Sequence, residues 1–176
     1  ELIDDNNLQF IEHRVKENIS DDRISLVFDI YEGEKVTVEK INILGNSVTN
    51  ETVVRSELTV DEGDPFTEIK LDKSIAKIKS RNIFKSVEKQ VKNGSSSDLK
   101  VIDIRVEEQP TGEISAGAGV GTDGGSFAFN VEENNWLGEG KNVGIEFEIS
   151  TDSVKGGINY SDPNYDLLGN SISYNL

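Results

Sequence analysis

Residues 106–121 read Val-Glu-Glu-Gln-Pro-Thr-Gly-Glu-Ile-Ser-Ala-Gly-Ala-Gly-Val-Gly, and the composition of the chain changes within this stretch. Residues 1–111 contain 16 of the 18 basic residues but only 4 of the 16 glycines. Residues 112–176 contain 12 glycines, 2 basic residues and 7 of the 12 aromatic residues. We therefore expect two different kinds of structure to meet near Pro110, within a chain of 176 residues.

The part before Pro110 contains four segments that predict β-strands. Each is rich in β-branched residues, alternates roughly between apolar and polar positions, and is bounded by turn residues such as Gly33, Gly45 and Gly94. These segments are residues 22–31, 35–44, 84–92 and 99–106.

Two helices are predicted between the second and third of these strands. Residues 49–58 predict a short helix, in which Thr49 caps the first turn. Residues 68–81 predict a clearer helix, because apolar residues recur at helical spacing: Leu71, Ile75 and Ile78. The order from Lys35 onward is thus β-α-α-β-β, an α+β module that packs two helices on one face of a small sheet.

Residues 112–176 alternate with a period of two. On one face of the first segment lie Ile114, Ala116, Ala118 and Val120, and the same alternation recurs in residues 126–131, 143–149, 154–160 and 172–176. The length and period are typical of tilted strands in an outer-membrane β-barrel, although a soluble antiparallel sheet with one wet face would show the same period. Five strands cannot close such a barrel, so we expect the chain to be part of a longer protein.

Several motifs, taken in order, resemble a known family. Residues 31–36 (YEGEKV), 41–46 (INILGN) and 82–87 (NIFKSV), with the two predicted helices, are similar to a polypeptide-transport-associated (POTRA) domain. The later motifs are similar to the junction between the last POTRA domain and the barrel of outer-membrane protein assembly factors: VEEQPTG (106–112), GAGVGT (117–122), ENNWLGEG (133–140) and YSDPNY (160–165). Asn82 stands where the family commonly has Gly, and Asn tolerates the left-handed conformation that follows a helix.

The resemblance implies an organisation in three parts. Residues 1–32 would be the C-terminal strands of a preceding POTRA domain, residues 33–109 a complete POTRA domain, and residues 110–176 the first antiparallel strands of an incomplete transmembrane β-barrel. The conserved motif of the family's late barrel would lie after Leu176.

The resemblance also implies a function without a catalytic residue. The family folds and inserts β-barrel proteins into the bacterial outer membrane, with its POTRA domains in the periplasm. The implied partners are unfolded outer-membrane β-barrel clients, accessory assembly lipoproteins and outer-membrane lipid, with no cofactor and no small-molecule substrate. An alternative is a POTRA-barrel secretion pore for a dedicated passenger protein, and a third reading is a soluble α+β interaction module with an attached sheet.

The strand at residues 84–92 is the candidate edge for binding an extended client. An exposed sheet edge offers unpaired N–H and C=O groups to a further strand. Lysines at alternating places would protect such an edge from self-pairing, although they could equally be ordinary solvated charges. The residues assigned to this edge are Phe84, Lys85, Val87, Lys89 and Val91, and Lys92 continues the pattern.

The first barrel strand is the candidate for a seam that opens laterally. Glycine weakens a strand because it brings no side chain and loses more entropy on ordering, although it also relieves crowding where strands curve. The seam residues are Gly112, Ile114, Gly117, Gly119 and Gly121. Aromatic residues near strand ends suggest a girdle at the membrane interface, formed by Trp136, Tyr160 and Tyr165, or else ordinary packing against turns.

Composition excludes several classes of function. The net charge of −15 argues against nucleic-acid binding, and the absence of Cys with only one His, His13, leaves little for thiolate catalysis or a metal site.

Three local motifs are also set against a binding or catalytic site. Residues 119–124 fit the dinucleotide pattern G-x-G-x-x-G, but a strand follows them where that fingerprint needs a helix. Residues 61–64 lack the spaced oxygen donors of a calcium loop, and Glu146 and Glu148 are two apart on one strand face, as in a polar lumen.

Overall fold

The computed structural model of the chain describes residues 11–20, 23–33, 35–122, 124–166 and 169–176. Within these ranges the strands form a two-stranded hairpin, a three-stranded sheet and a five-stranded sheet. The sequence predictions that concern residues 1–10, residues 21–22, Glu34 and Asp123 lie outside the described residues.

The hairpin comprises strands β1 (Ile11–Ser20) and β2 (Arg23–Glu32), which pair antiparallel along their whole length. Its second strand confirms the segment predicted at residues 22–31, moved by one residue. On one face of the hairpin the residues of β2 are apolar, and their partners in β1 include the apolar Val15 and Ile19 but also Glu17; the β2 residues are Ile24, Leu26, Phe28 and Ile30. The assignment of this hairpin to a preceding POTRA domain stays a prediction.

The α/β module follows, with strand β3 (Thr37–Leu44), helices α1 (Glu51–Arg55) and α2 (Glu68–Ser80), and strands β4 (Phe84–Asn93) and β5 (Leu99–Glu108). This order confirms the predicted β-α-α-β-β arrangement. Strand β5 is central in the sheet, parallel to β3 on one side and antiparallel to β4 on the other.

The core of the module lies between one face of this sheet and the two helices. Helix α1 contributes Val53 and Val54, and helix α2 contributes the three residues whose spacing predicted it. The remaining buried apolar residues come from the strands and loops around them: Val38, Ile41, Val60, Ile83, Phe84, Val87, Ile102, Ile104 and Val106.

Helix α2 begins and ends much as its sequence predicts. The hydroxyl of Thr67 accepts a hydrogen bond from the backbone N–H of Lys70 at its start. After the helix, Asn82 adopts a φ of 56°, which confirms that Asn fills the left-handed position expected there.

The prediction for helix α1 was wrong in its start and its length. Asn50, not Thr49, is the N-cap, and α-helix extends only to Arg55. The helix ends early because the chain turns to pack Val60 into the core and Leu58 against it, while the hydroxyl of Thr59 donates to the carbonyl of Lys70.

The five-stranded sheet is an antiparallel meander of β6 (Gly112–Gly121), β7 (Gly124–Trp136), β8 (Lys141–Ser150), β9 (Val154–Asp162) and β10 (Ile172–Asn175). These strands confirm the five predicted segments, of which the second is longer than expected. The turns at one end of this sheet contact the α/β module, and we call this end the near end. It contains Gly112, Trp136, Lys141 and Asp162. Among the described residues, no helix is long and apolar enough to cross a membrane.

Candidate functional site

The predicted client edge lies on an outer strand of the module sheet. All of its residues, from Phe84 to Val91, belong to β4, which pairs only with β5. Phe84 and Val87 are buried and Val91 packs against the core, so these side chains anchor the strand. A partner strand would therefore meet the backbone of β4 rather than its apolar side chains.

The opposite edge of the same sheet is closed by the chain itself. The N–H of Val38 in β3 donates to the carbonyl of Asp64 (2.9 Å), and the N–H of Gly63 donates to the carbonyl of Val38 (2.8 Å). Further along β3, the N–H of Ile41 donates to Glu62 Oε1 (3.0 Å) and its carbonyl accepts from Arg55 Nη2 (3.0 Å). In the described part of the chain, β4 has no comparable cover along its outer side, so the sheet has one closed and one open edge.

Each of the three lysines on β4 is paired with a carboxylate. Lys85 Nζ lies 2.8 Å from Glu107 Oε1, and Lys92 Nζ lies 2.5 Å from Asp103 Oδ2. Lys89 reaches helix α2, where it contacts Glu68 and lies 2.7 Å from Asp72 Oδ1. The hydrogen bonds that Lys89 donates to Asp72 and Glu68 raise the pKa of Lys89. The lysines therefore do not form a row of free charges along this edge, and the open backbone is what distinguishes it.

The predicted seam strand is an outer strand of the five-stranded sheet. Strand β6 pairs only with β7, and all of its residues are exposed, including Gly112, Ile114 and Gly119. A Cβ added at Gly117 or Gly121 would meet no atom within 4 Å. A Cβ at Gly112 or Gly119 would instead lie 3.2 Å from Glu133 Oε2 or 3.3 Å from Ser126 Oγ, respectively. Crowding within the described residues thus accounts for two of the four glycines, and the role of this strand as a seam stays a prediction.

The register of the sheet separates an apolar face from a polar face. On the apolar face, Phe129 lies between Ala116 and Phe147, and Ile145 lies between Val131 and Ile158. The polar face carries the alternate residues, among them Ser115, Asn130, Glu146, Glu148, Lys155 and Asn159. The predicted alternation therefore holds across neighbouring strands, as expected for one face toward lipid and one toward a polar interior.

A bulge in β7 determines where Trp136 lies. The register between β7 and β8 runs from Glu133↔Val143 to Trp136↔Lys141, so β7 contains one extra residue there. Because side chains alternate along a strand, this residue moves Trp136 to the apolar face, next to Lys141. Without the bulge, Trp136 would lie on the polar face, and Asn135 would be turned away from the module.

Two further aromatic residues, Tyr160 and Tyr174, lie on the apolar face of the sheet with Trp136. Tyr160 is opposite Val143, one row further into the sheet, and its ring centroid lies 6.2 Å from that of Tyr174. Tyr165 lies in the loop between β9 and β10 and is exposed. The membrane-interface role of these aromatic residues stays a prediction.

The turn between β7 and β8 is bonded to the α/β module. Asn135, which is buried, donates from Nδ2 to the hydroxyl of buried Thr49 (2.9 Å) and accepts from the N–H of Gly140 (2.8 Å). The N–H of Asn50 donates to the carbonyl of Gly138 (2.8 Å). Arg81, at the end of α2, donates from Nη2 to the carbonyl of Gly140 (2.5 Å). Residues just before α1 and just after α2 thus bind the same turn between β7 and β8.

A second loop at the near end makes similar contacts. Asn164 Nδ2 donates to Glu57 Oε1 (2.7 Å) and to the hydroxyl of Ser56 (3.0 Å), which both follow α1. Arg81 Nε lies 3.6 Å from the same Glu57 carboxylate. Burial lowers the pKa of Arg81, while the charges of Glu57 and Asp162 oppose that effect. The module is therefore held to the sheet through two turns of the near end.

Glu108, the last residue of β5, fixes the loop that enters this junction. Its carboxylate accepts hydrogen bonds from the hydroxyl of Ser47 (2.5 Å) and from the N–H groups of Val48 (3.0 Å) and Thr49 (2.6 Å). Partial burial opposes ionisation, but these hydrogen bonds outweigh it and lower the pKa of Glu108 to about 2. Glu108 and Asn135 lie within the junction motifs VEEQPTG and ENNWLGEG, but their hydrogen-bond partners and the part played by Arg81 could not be predicted from the sequence.

The glycine pattern at residues 119–124 and the acidic segment at residues 61–64 both form turns. Gly121 and Gly124 join β6 to β7 in a hairpin, and β7 continues where a nucleotide fingerprint would need a helix. In the turn at residues 61–64, the N–H of Asp61 donates to Asp64 Oδ2 (2.9 Å), while Glu62 closes the edge of β3. The described residues contain no group of three His, Cys, Asp or Glu side chains placed to hold a metal ion.

Comparison with known proteins assigns the module to a family. Residues 36–109 match the family model described as "POTRA: Surface antigen variable number repeat". The chain is 31% identical over 127 residues to outer membrane protein assembly factor BamA of Neorickettsia risticii, covering 72% of this chain and 17% of that protein. It is 28% identical over 155 residues to BamA of Neisseria meningitidis, covering 87% of this chain and 19% of that protein. The chain thus spans less than a fifth of these relatives.

Among solved structures, the fold is similar to a crystal structure of BamA from Haemophilus ducreyi lacking POTRA domains 1–3. The TM-score is 0.74 at 22% sequence identity, and the match covers 96% of this chain and 33% of that chain. The likeness extends beyond the α/β module to the five-stranded sheet, which resembles the strands of the BamA barrel.

Proposed function

Because this chain carries a POTRA domain followed by strands like those of the assembly factor BamA, we propose that it takes part in assembling proteins of the bacterial outer membrane. The POTRA domain lies in the periplasm and the five-stranded sheet forms part of a barrel in the outer membrane. The proposal assigns no catalytic residue and no cofactor, because the work consists of pairing and releasing strands.

The main support for this proposal is that one edge of the POTRA sheet, β3, is covered by hydrogen bonds and the other edge, β4, is open. Edge β3 is closed by Arg55, Glu62 and the backbone of residues 63–66, whereas β4 keeps its outer backbone open. An extended segment of an unfolded client adds to β4 as a further strand, held by main-chain hydrogen bonds. Such binding recognises the backbone of the client and depends little on its sequence, as expected for a protein that binds many different β-barrel clients.

A second step takes place at β6. This strand is open on one side, and Gly117 and Gly121 remove side chains that would otherwise strengthen its pairing. A strand whose register is weakly specified exchanges partners more readily. The seam at β6 therefore templates the first strand of the client and later releases it into the bilayer.

The junction described above connects these two steps. Since the POTRA domain is bonded to the near end of the sheet through Asn135, Arg81 and Asn164, a client bound on β4 is held close to the membrane. Accessory lipoproteins would bind other surfaces of the periplasmic part, and outer-membrane lipid would surround the apolar face of the sheet.

The experiment that tests this function is a folding assay with the complete gene product in phospholipid vesicles. An unfolded outer-membrane β-barrel protein is added, and its folded form is followed by its altered mobility on gels. We expect faster folding than in empty vesicles, and slower folding with Gly117→Thr than with the matched variant Gly156→Thr, which lies in β9 away from the seam. Equal folding in loaded and empty vesicles would contradict the proposal.

A secretion pore would give a different result in the same vesicles. It would leave β-barrel clients unaffected and move one soluble passenger across the bilayer. The assay therefore separates the assembly function from its alternative.

A further inference from the structure

Three exposed apolar residues lie in the two segments that approach each other where the POTRA domain joins the sheet, since Gly138 lies against the backbone of Val48. Val48 is 70% exposed, Leu137 is 76% exposed and Trp136 is 45% exposed. Val48 belongs to the loop before α1, whereas Trp136 is the last residue of β7 and Leu137 begins the turn that follows it. They therefore come from both sides of the junction.

Trp136 continues the apolar face of the sheet to its near end. The bulge places its side chain on that face, one row beyond the pair Tyr160 and Tyr174. Trp and Tyr are the residues that favour the boundary between hydrocarbon and headgroups, because each has an apolar body and a polar tip. The near end of the apolar face is thus built like the edge of a membrane-embedded band.

Val48 is held beside this turn by its own backbone. Its N–H donates to both carboxylate oxygens of Glu108, at 3.0 and 3.1 Å. Gly138 lies so close that a Cβ added there would collide with the carbonyl oxygen of Val48. The side chain of Val48 is therefore exposed at a fixed place next to Leu137 and not on a mobile loop.

Leu137 adopts a backbone conformation that leucine normally avoids. Its φ is 55°, in the left-handed region that favours Gly and Asn. Because its side chain is exposed, packing inside the protein does not compensate for this strain. Strain that is kept at a defined position points to a function of the residue there.

We infer that Val48, Leu137 and Trp136 form an apolar tip that lies in the interfacial layer of a phospholipid bilayer. This inference rests on the proposed function, since it requires the sheet to be membrane-embedded. The tip anchors the POTRA domain, and not only the barrel, to the membrane surface. It thereby helps to hold the open edge β4 at a constant height below the bilayer.

The charges around the tip specify the kind of lipid contact. Lys141, which is opposite Trp136 in the register, is paired with Glu139 (2.6 Å) and Asp162 (3.9 Å), so the basic group beside Trp136 is neutralised by two acidic groups. Such surroundings do not attract anionic headgroups. The contact therefore depends on apolar burial, and a zwitterionic bilayer is sufficient.

The test uses the complete gene product with any cysteine outside these 176 residues replaced by serine; the 176 residues themselves contain no Cys, so each variant carries one environment-sensitive fluorophore. The labelled variants are Val48→Cys and Leu137→Cys, with Phe147→Cys as the reference on the apolar face and Ile69→Cys as the reference on exposed helix α2. Each is reconstituted in phosphatidylcholine vesicles that contain a lipid with a shallow spin label. We expect strong lipid quenching and weak iodide quenching at positions 48 and 137, and the reverse at position 69.

The reference positions separate the possible failures. If position 147 is quenched by lipid while positions 48 and 137 are quenched by iodide like position 69, the inference is overturned and the proposed function stands. If position 147 is also open to iodide, the sheet does not enter the bilayer and the proposed function fails with it.

An unlabelled variant tests the role of Leu137 without a fluorophore that could itself change the structure of the tip. Leu137→Asn suits the left-handed backbone but removes the apolar side chain, so the turn is expected to fold. Trp136 is the only tryptophan of these 176 residues, and any tryptophan elsewhere in the complete gene product is replaced by phenylalanine so that Trp136 reports on the tip. We expect Leu137→Asn to lower quenching of Trp136 by shallow spin-labelled lipid and to raise its quenching by iodide; unchanged quenching would overturn the role of Leu137.

Discussion

The side-chain amide of Asn135 donates a 2.9 Å hydrogen bond to the hydroxyl of Thr49, and the two residues are 86 positions apart in the sequence. Both side chains are buried, with exposed fractions of 8% and 2%. Asn135 belongs to the barrel-like sheet and Thr49 to the POTRA domain. This one bond therefore joins the two parts that the composition separates, and it exists only because the bulge in β7 turns Asn135 toward the module.

We expect Asn135→Ala to loosen this junction. Removing the amide leaves the buried hydroxyl of Thr49 and the N–H of Gly140 without their partner, at a cost of about 1–3 kcal/mol. Spin labels on Lys73→Cys and Val154→Cys should then give a broader distance distribution than in the parent chain. Asn130→Ala, on the same strand but without a contact to the module, is the control and should leave the distribution narrow.

Gly138→Ala tests the close approach of the turn to Val48. The added methyl would collide with the Val48 carbonyl oxygen, and Gly138 has a φ of 74°, which alanine avoids. We expect the turn to move away from the POTRA domain and the thermal unfolding temperature to fall. The matched change Gly63→Ala has the same kind of backbone strain, with a φ of 92°, but meets no atom within 4 Å, so it should lower the unfolding temperature less. Equal effects of the two changes would show that the docking of the turn is unimportant.

Stability should depend on pH through Glu108. Its pKa is about 2 in the folded protein, against an ordinary value of 4.5. Because the folded pKa is the lower one, the carboxylate adds stability above about pH 4.5, and this addition is lost as the pH falls from there toward 2. Glu108→Gln should therefore cost about 1 kcal/mol at pH 7, since the carboxylate is partly solvated, and progressively less as the pH falls.

Urea unfolding followed by helical circular dichroism measures this effect, because α1 and α2 both belong to the module. Glu88→Gln is a suitable control, as Glu88 is exposed on β4 and lies away from the junction. A stability difference between Glu108→Gln and the parent chain that is the same at pH 7 and pH 3 would contradict the assignment.

Residues 33–109 should fold alone in water, whereas residues 110–176 should require lipid or detergent. The module has its own buried core, including Leu71, Ile78 and Ile102, while the sheet exposes apolar side chains such as Phe127 and Ile145. Unpaired strand edges together with an apolar face promote aggregation in water. Nuclear magnetic resonance spectra of the two segments would decide this. Dispersed amide signals from the sheet segment without lipid would contradict the prediction.

The repeating part of the fold could be predicted from the sequence. Helical spacing identified α2 through Leu71, Ile75 and Ile78, and alternation identified all five strands of the second sheet. These signals work because core-facing residues recur with the period of the element itself. The comparisons confirmed the resemblance of residues 36–109 to POTRA domains and the similarity of the chain to outer-membrane protein assembly factors.

The junction could not be predicted in this way. Thr49 was assigned as a helix cap because hydroxyl residues favour that place, but its partner is Asn135 in the other sheet. One extra residue in β7 decides which of Asn135 and Trp136 faces the module, and no periodic pattern reveals such a bulge. The closed edge of β3 is equally non-local, since Glu62 and Arg55 reach it from separate loop and helix positions.

The open edge of the POTRA sheet is the central claim, and site-specific photo-crosslinking tests it most directly. A photoreactive residue is placed at exposed Gln90 on β4 or at exposed Lys40 on β3, and an unfolded outer-membrane β-barrel protein is added to the reconstituted protein. We predict crosslinks to the client from position 90 and almost none from position 40. Equal crosslinking from both positions, or crosslinking from position 40 alone, would contradict it.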